Sequence, residues 1–170
     1  PAEQGLYRLD SSCKSSESIT ITHATPDPRF MLSTEISLIY KHNGATRKVH
    51  HNIYLPDFSS ARRFQTALAA RGNIASDGRP ILGMSSYDLL SLLLDCSPQA
   101  VMIPAHIWTP WFSLFGSRSG YDAIEECFLD LTPEIFALET GLSADPDMIR
   151  RVSALDRFAL VSNSDCHSLG

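Results

Sequence analysis

Near the C-terminal end of the 170-residue chain, Ser164-Asp165-Cys166-His167 places a carboxylate and an imidazole two residues apart, just past the apolar run Phe158–Val161. Neutral imidazole and carboxylate together suit Zn, Mn or Fe. In extended backbone, residues i and i+2 point to the same side, so Asp165 and His167 can face one cavity. Alone, an Asp-x-His pair is a weak signal. Two further apolar runs sharpen it: His106 follows Val101-Met102-Ile103, and Glu139 follows Phe136-Ala137-Leu138. Glu35 lies in a β-rich run, with His50 opposite it across a turn. The set Glu35, His50, His106, Asp165 and His167 is expected to form a mixed cluster for divalent metal ions. Such clusters activate water as a nucleophile at neutral pH and clamp a phosphoryl oxygen.

These residues need elements to hold them. Phe30–Tyr40 and Lys48–Leu55 read as two strands joined at His42-Asn43-Gly44, and Asn-Gly between β-rich runs is a strong hairpin signal. A strand is also expected over Ile19–Thr22. Ser59 or Ser60 is expected to cap a helix reaching Arg71, with Phe64 and Leu68 on its buried face. Asp77-Gly78-Arg79-Pro80 reads as a turn, and Ser85 opens a leucine-rich second helix. Beyond it the pattern predicts a strand over Ala100–Pro104 and a long aromatic and glycine loop over 107–119. A helix over Asp122–Phe128, a strand over Ile135–Glu139, a helix over Asp145–Leu155 and a strand over Phe158–Val161 follow. Helices alternating with short apolar strands argue for an α/β fold with parallel strands. Ligand sites in such folds form at the C-terminal strand ends, where His106, Glu139, Asp165 and His167 all fall.

Composition bounds the alternatives. One domain spanning 1–170 is expected at this length. The net charge of -5 offers no broad basic field, so any nucleic acid must be met by a local patch or by metal. Cys13, Cys96, Cys127 and Cys166 form no CxxC pair and are expected to be buried free thiols in a reducing cytoplasm. No apolar run approaches a membrane span, no signal peptide is visible, and no GxxxxGK[ST] run supports ATP use.

Five runs carry a resemblance. They are Ile103-Pro-Ala-His-Ile-Trp-Thr-Pro-Trp-Phe-Ser113, Phe115-Gly-Ser-Arg-Ser-Gly120, Ile124-Glu-Glu-Cys-Phe128, Ala137-Leu-Glu-Thr-Gly-Leu-Ser143 and Ser162-Asn-Ser-Asp-Cys-His-Ser168. They resemble the endonuclease Q family of the PHP (polymerase and histidinol phosphatase) superfamily, from roughly Gly5 onward. The chain departs from the family pattern at Met148-Ile-Arg-Arg151 and at Cys166. The resemblance implies a distorted (β/α)7 barrel with up to three metal ions and Glu35, His106, Asp165 and His167 as ligands. It adds a histidine from Val49-His50-His51, with His50 favoured and His51 the alternative. The family's His-x-His motif is missing, so a partial barrel lacking its N-terminal strand or strands, and weak metal occupancy, are expected.

The activity implied is metal-dependent nicking of DNA on the 5′ side of deaminated bases, a DNA-repair reaction. Trp108 and Trp111 would stack on a base or wedge the duplex, Arg118 would hold a phosphate, and Glu139 would orient a ligand histidine rather than bind metal. The competing expectations are a small-molecule phosphatase of the same superfamily and a non-catalytic scaffold domain. Both tryptophans could instead simply pack the barrel rim, and Glu139 could cap the Thr140–Gly141 amides.

Overall fold

The computed structural model describes residues 5–8, 29–75 and 79–166. The strand expected over Ile19–Thr22, Cys13 and His167 lie outside the described residues.

The hairpin forms where Asn-Gly demands it. Strands β1 (Leu32–His42) and β2 (Ala45–Leu55) pair antiparallel, with His42 opposite Ala45. Asn43 (φ 50°) and Gly44 (φ 74°) fill the two positive-φ positions of a type I′ turn. Side chains alternate across the hairpin. Ile36, Leu38, Val49, His51 and Ile53 are all 1% exposed or less and face the core. Glu35, Ser37, Lys48, His50 and Asn52 take the opposite face.

The core face is covered by two helices. Helix α1 (Phe58–Ala69) buries Phe64 and Leu68 as expected, but its cap is Asp57, whose carboxylate accepts the Ser60 N–H at 2.7 Å. Ser59 and Ser60 therefore lie inside the first turn. A short strand β3 (Ile81–Leu82) runs parallel to β1. Helix α2 (Ser86–Cys96) is capped by Ser85, as the sequence indicates, and buries Leu89, Leu90 and Leu93. Each such leucine contributes roughly 1.5–3 kcal/mol of burial.

Strand β4 (Val101–Pro104) completes a four-stranded sheet of order β3-β1-β2-β4. It runs antiparallel to β2. This corrects the expectation of parallel strands throughout: β4 docks on the hairpin's return strand, which opposes β1, β3 and β4 alike. After the loop come α3 (Ile124–Phe128), a 3-10 segment (Leu129–Glu134), β5 (Ala137–Thr140), α4 (Pro146–Ile149) and β6 (Ala159–Ser162). The expected helix over Asp145–Leu155 is thus one short helix and a separate 3-10 turn, Ser153–Leu155, with Val152 in the extended region between them. β5 and β6 pair parallel, as the pattern predicts. The architecture is mixed α/β, and the ends of β4, β5 and β6 converge beside the polar face of the hairpin. No helix among the described residues is long and apolar enough to cross a membrane.

His51 shows how strictly the alternation sorts neighbours. Its ring is fully buried, with Nε2 2.8 Å from Ser86 Oγ, and Ser86 joins Tyr40 OH (3.1 Å), which meets Tyr121 OH (2.9 Å). Burial, with the charges of His50 and His106, pushes the His51 pKa down to about 3. Between that value and the usual 6.5 the unfolded chain binds a proton that the folded chain refuses. Folding stability is therefore present above pH 6.5 and is lost as pH falls toward 3. Urea unfolding should report a loss of about 1 kcal/mol per pH unit between pH 6 and 4 from this residue. His51→Gln, which keeps a partner for Ser86, should flatten that slope; an unchanged slope would place the acid sensitivity elsewhere.

Candidate metal centre

Three side chains from three elements meet on the polar face. Glu35 comes from β1, His50 from β2 and His106 from the turn two residues past β4. His50 Nδ1 lies 2.9 Å from Glu35 Oε1 and 3.2 Å from His106 Nε2, and His106 Nε2 lies 3.7 Å from the same Oε1. The register puts Asn52, not His50, directly opposite Glu35; His50 faces Ser37 and reaches Glu35 diagonally. His50 and His106 are buried (5% and 6% exposed).

This geometry is compatible with a bound metal ion. An ion with bonds of about 2.1 Å holds neighbouring donors roughly 3.0–3.4 Å apart, and the three separations here bracket that range. Glu35 Oε1 is buried and, despite its 2.9 Å approach to His50, makes no aligned hydrogen bond. These three atoms form a possible ion-binding group among the described residues.

The surroundings prepare the donors. His106 Nδ1 lies 3.1 Å from Thr109 Oγ1, which itself donates to Trp111 O at 2.8 Å. With the hydroxyl proton spent on Trp111, Thr109 accepts from Nδ1–H, and the lone pair of Nε2 faces the cluster. Burial pushes the Glu35 pKa up, but His106, His50 and Arg79 outweigh it and hold the carboxyl well below the usual range. The Arg79 guanidinium grips the second oxygen, Oε2, at 2.9 Å. Burial pulls the His50 pKa down. His106 is raised: burial opposes its charge, but Glu35, Asp165 and Glu139 together win.

Glu139 sits inside β5 and is 4% exposed. Its Oε2 accepts the His106 backbone N–H at 2.8 Å, and its Oε1 accepts from Asn52 Nδ2 at 3.1 Å and from Asn163 Nδ2. It thereby ties together β2, the His106 turn and the end of β6. It does not cap the Thr140–Gly141 amides. His106 has φ 31° and Asp165 φ 53°, both in the left-handed region that non-glycine residues rarely adopt. For Asp165 this breaks the extended-backbone argument that paired it with His167. Asp165 instead lines a cleft of about 390 Å³ with Ser33, Glu35, Asn52 and Glu139. It stands at the rim of the site and outside the three-atom cluster.

The loop after His106 is pinned rather than loose. It takes the edge of β2 where β4 has ended: the His50 N–H donates to Phe112 O (3.1 Å) and the Lys48 N–H to Ser119 O (3.2 Å). The Phe112 ring packs on His50 with centroids 4.7 Å apart. Trp108 is partly buried against the core and packs on Phe115 at 6.2 Å, as a rim-packing residue does. Trp111 is 50% exposed, and Arg118 is exposed. A Cβ on Gly120 would come within 2.3 Å of Gly116 N and 2.6 Å of Leu114 O, both backbone atoms. Gly120→Ala should cost about 2 kcal/mol, read by thermal unfolding.

Arg79, Thr109, Asn52 and Asn163 carry roles that sequence reasoning missed. Asn52 alone had a usable signal, since it shares a strand face with His50 at i+2. All three described cysteines are free; Cys127 is buried, Cys96 intermediate and Cys166 exposed.

Similarity to known proteins is partial. The chain is 34% identical over 124 residues to the uncharacterized protein YqxK of Bacillus subtilis (strain 168), covering 72% of this chain and 30% of that protein. It is 41% identical over 61 residues to the uncharacterized protein MJ0043 of Methanocaldococcus jannaschii, covering 36% of this chain and 7% of that protein. No family model matches. The structure resembles that of the lesion-specific endonuclease PfuEndoQ from Pyrococcus furiosus, with a TM-score of 0.72 and 28% identity over 98% of this chain and 34% of that one. The chain therefore shares the fold of part of that endonuclease and spans about a third or less of the length of each protein it matches.

Proposed function

We propose that this chain carries the metal centre of a metal-dependent endonuclease that nicks DNA 5′ of deaminated bases. The observation that carries the reading is the convergence of Glu35 Oε1 and His50 Nδ1, from the polar face of the hairpin, with His106 Nε2, from the turn past β4, in a fold like that of an endonuclease. Asp165, at the rim, and His167 are the further ligands in this reading. A divalent ion held there would polarise a phosphoryl oxygen and make water nucleophilic near neutral pH.

The lining of the cleft supports a metal. Glu35, Glu139 and Asp165 line it with Asn, Ser, Thr, Tyr and Cys residues and, among the described residues, no Lys or Arg, although Arg79 pairs with Glu35 from its outer side. With Arg79 offsetting only one of the three carboxylates, the cleft disfavours phosphate; bound divalent cations reverse the sign. The same lining disfavours a small-molecule phosphatase, which needs a closed basic pocket for its anion. The exposed Trp111 and Arg118 suit a polymeric nucleic acid, with Trp111 rather than the packed Trp108 as the stacking residue.

In this reading β1, β2, β4, β5 and β6 are consecutive staves of a partial PHP-type barrel. Among the described residues β1 has a neighbour on its outer side only at Ser37 and Leu38, and the cleft lies between its Ser33–Glu35 segment and the end of β6. Further strands entering there would close the barrel. The test is nicking of a uracil- or hypoxanthine-containing duplex by the full-length protein with Mn or Zn. Undiminished nicking by an Asp165→Ala, His167→Ala double variant would sink the proposal.

A further inference from the structure

The feature not absorbed by the metal centre is Lys48. It shares the face of β2 with His50, two residues away, which is about 6.8 Å along a strand. Its ammonium lies 4.9 Å from the Trp111 ring centroid and 5.3 Å from that of Phe112. The Phe112 ring packs in turn on His50. An unbroken row therefore runs from the exposed indole through Lys48 and Phe112 to the metal cluster.

The row is fixed in place. Ser119 accepts the Lys48 N–H at its carbonyl and donates from Oγ to Lys48 O at 3.1 Å, and the same Oγ accepts the Phe112 N–H at 3.1 Å. One loop residue thus sets the spacing between strand and aromatic pair. A cation resting on ring faces is oriented electrostatically yet keeps its N–H donors for an oxyanion. In a chain of net charge -5, a half-buried lysine held this way two residues from His50 is an oriented local cation of the kind an anionic polymer requires.

We infer that Lys48 and Trp111 form a one-nucleotide subsite next to the metal centre: Lys48 holds the phosphate adjoining the scissile one, and the exposed face of Trp111 stacks on the base of that nucleotide. The contact is to backbone and to any base, so it adds affinity and register without choosing the lesion. This rests on the endonuclease reading above and deepens it.

The experiment uses the full-length, Mn-loaded protein and two fluorescein-labelled oligonucleotides, one with a single uracil and one undamaged. Lys48→Gln should weaken both about fivefold, reduce the slope of log affinity against log salt by about 0.9, and raise KM with little change in kcat. Lys48→Arg should restore the slope. Trp111→Ala should weaken binding about tenfold and remove the tryptophan quenching that the oligonucleotides cause in the parent. Bound Mn should be unchanged in all three variants. If the parent nicks the uracil strand but Lys48→Gln keeps its salt slope and KM, the subsite is wrong while the endonuclease reading stands. Loss of Mn in Lys48→Gln would also overturn it, because the residue would then act through His50. A parent that neither binds nor nicks either strand removes both.

Discussion

In the proposed metal centre, His106→Ala should lower Mn or Zn affinity, and with it the proposed DNA nicking by the full-length protein, by more than about 100-fold while leaving the hairpin and helices folded. His106 Nε2 is one of three donors within 3.7 Å of one another, and its ring reaches them from the turn past β4. Truncation to Ala deletes one donor and leaves Glu35 Oε1 with only His50 beside it. Removing a group that merely orients a ligand typically costs 10–100-fold, so losing the ligand should exceed that range. Thr109→Val supplies the internal scale. It removes the acceptor for His106 Nδ1 and should fall within 10–100-fold. Equilibrium dialysis against Mn or Zn, with circular dichroism as the control for folding, measures both. Wild-type metal affinity in His106→Ala would show that the cluster is a hydrogen-bonded trio and not a metal centre.

Most of what positions this site was legible in local sequence signals. Asn43-Gly44 dictated the hairpin because positive φ at both turn positions is sterically cheap only for such residues, and Ser85 opened α2 for the same kind of local reason. Strand alternation separated His50 from His51 once the face of either was known. What escaped were features that exist only in three dimensions. The pairing of β4 with β2 joins residues some fifty positions apart, and nothing in Val101–Pro104 declares which neighbour it takes or in which direction. Arg79 reaches Glu35 from 44 residues away. The positive φ of His106 and Asp165 is invisible in their residue types, and at Asp165 it defeats the period-two rule that had aligned it with His167. Asp57 displaced Ser59 and Ser60 as the α1 cap because its carboxylate reaches the N–H three residues on, a choice among three good capping residues that spacing alone does not decide.

Glu139 is where fold and site depend on the same atoms, and its replacement should separate their contributions. The carboxylate accepts from the His106 backbone, from Asn52 and from Asn163, so every partner is a donor. Glu139→Ala leaves all three without an acceptor. Only the His106 N–H is fully buried, with Asn52 half-buried and Asn163 exposed; an orphaned buried donor costs about 1–3 kcal/mol and water replaces much of the rest, so a loss of about 2–4 kcal/mol is expected in urea unfolding. Glu139→Gln behaves differently. Its carbonyl can still accept the His106 N–H, while its NH₂ meets the two asparagines, whose side-chain amides can rotate to present oxygen instead. That adjustment holds the stability loss to about 1 kcal/mol. Metal affinity should still fall 10–100-fold, because the neutral amide holds the His106 backbone, at its strained φ, less firmly than a carboxylate does. A variant nearly as stable as the parent but poor in metal would assign Glu139 to positioning His106. Equal stability losses in Gln and Ala would mean that the negative charge itself holds β2, the His106 turn and the end of β6 together.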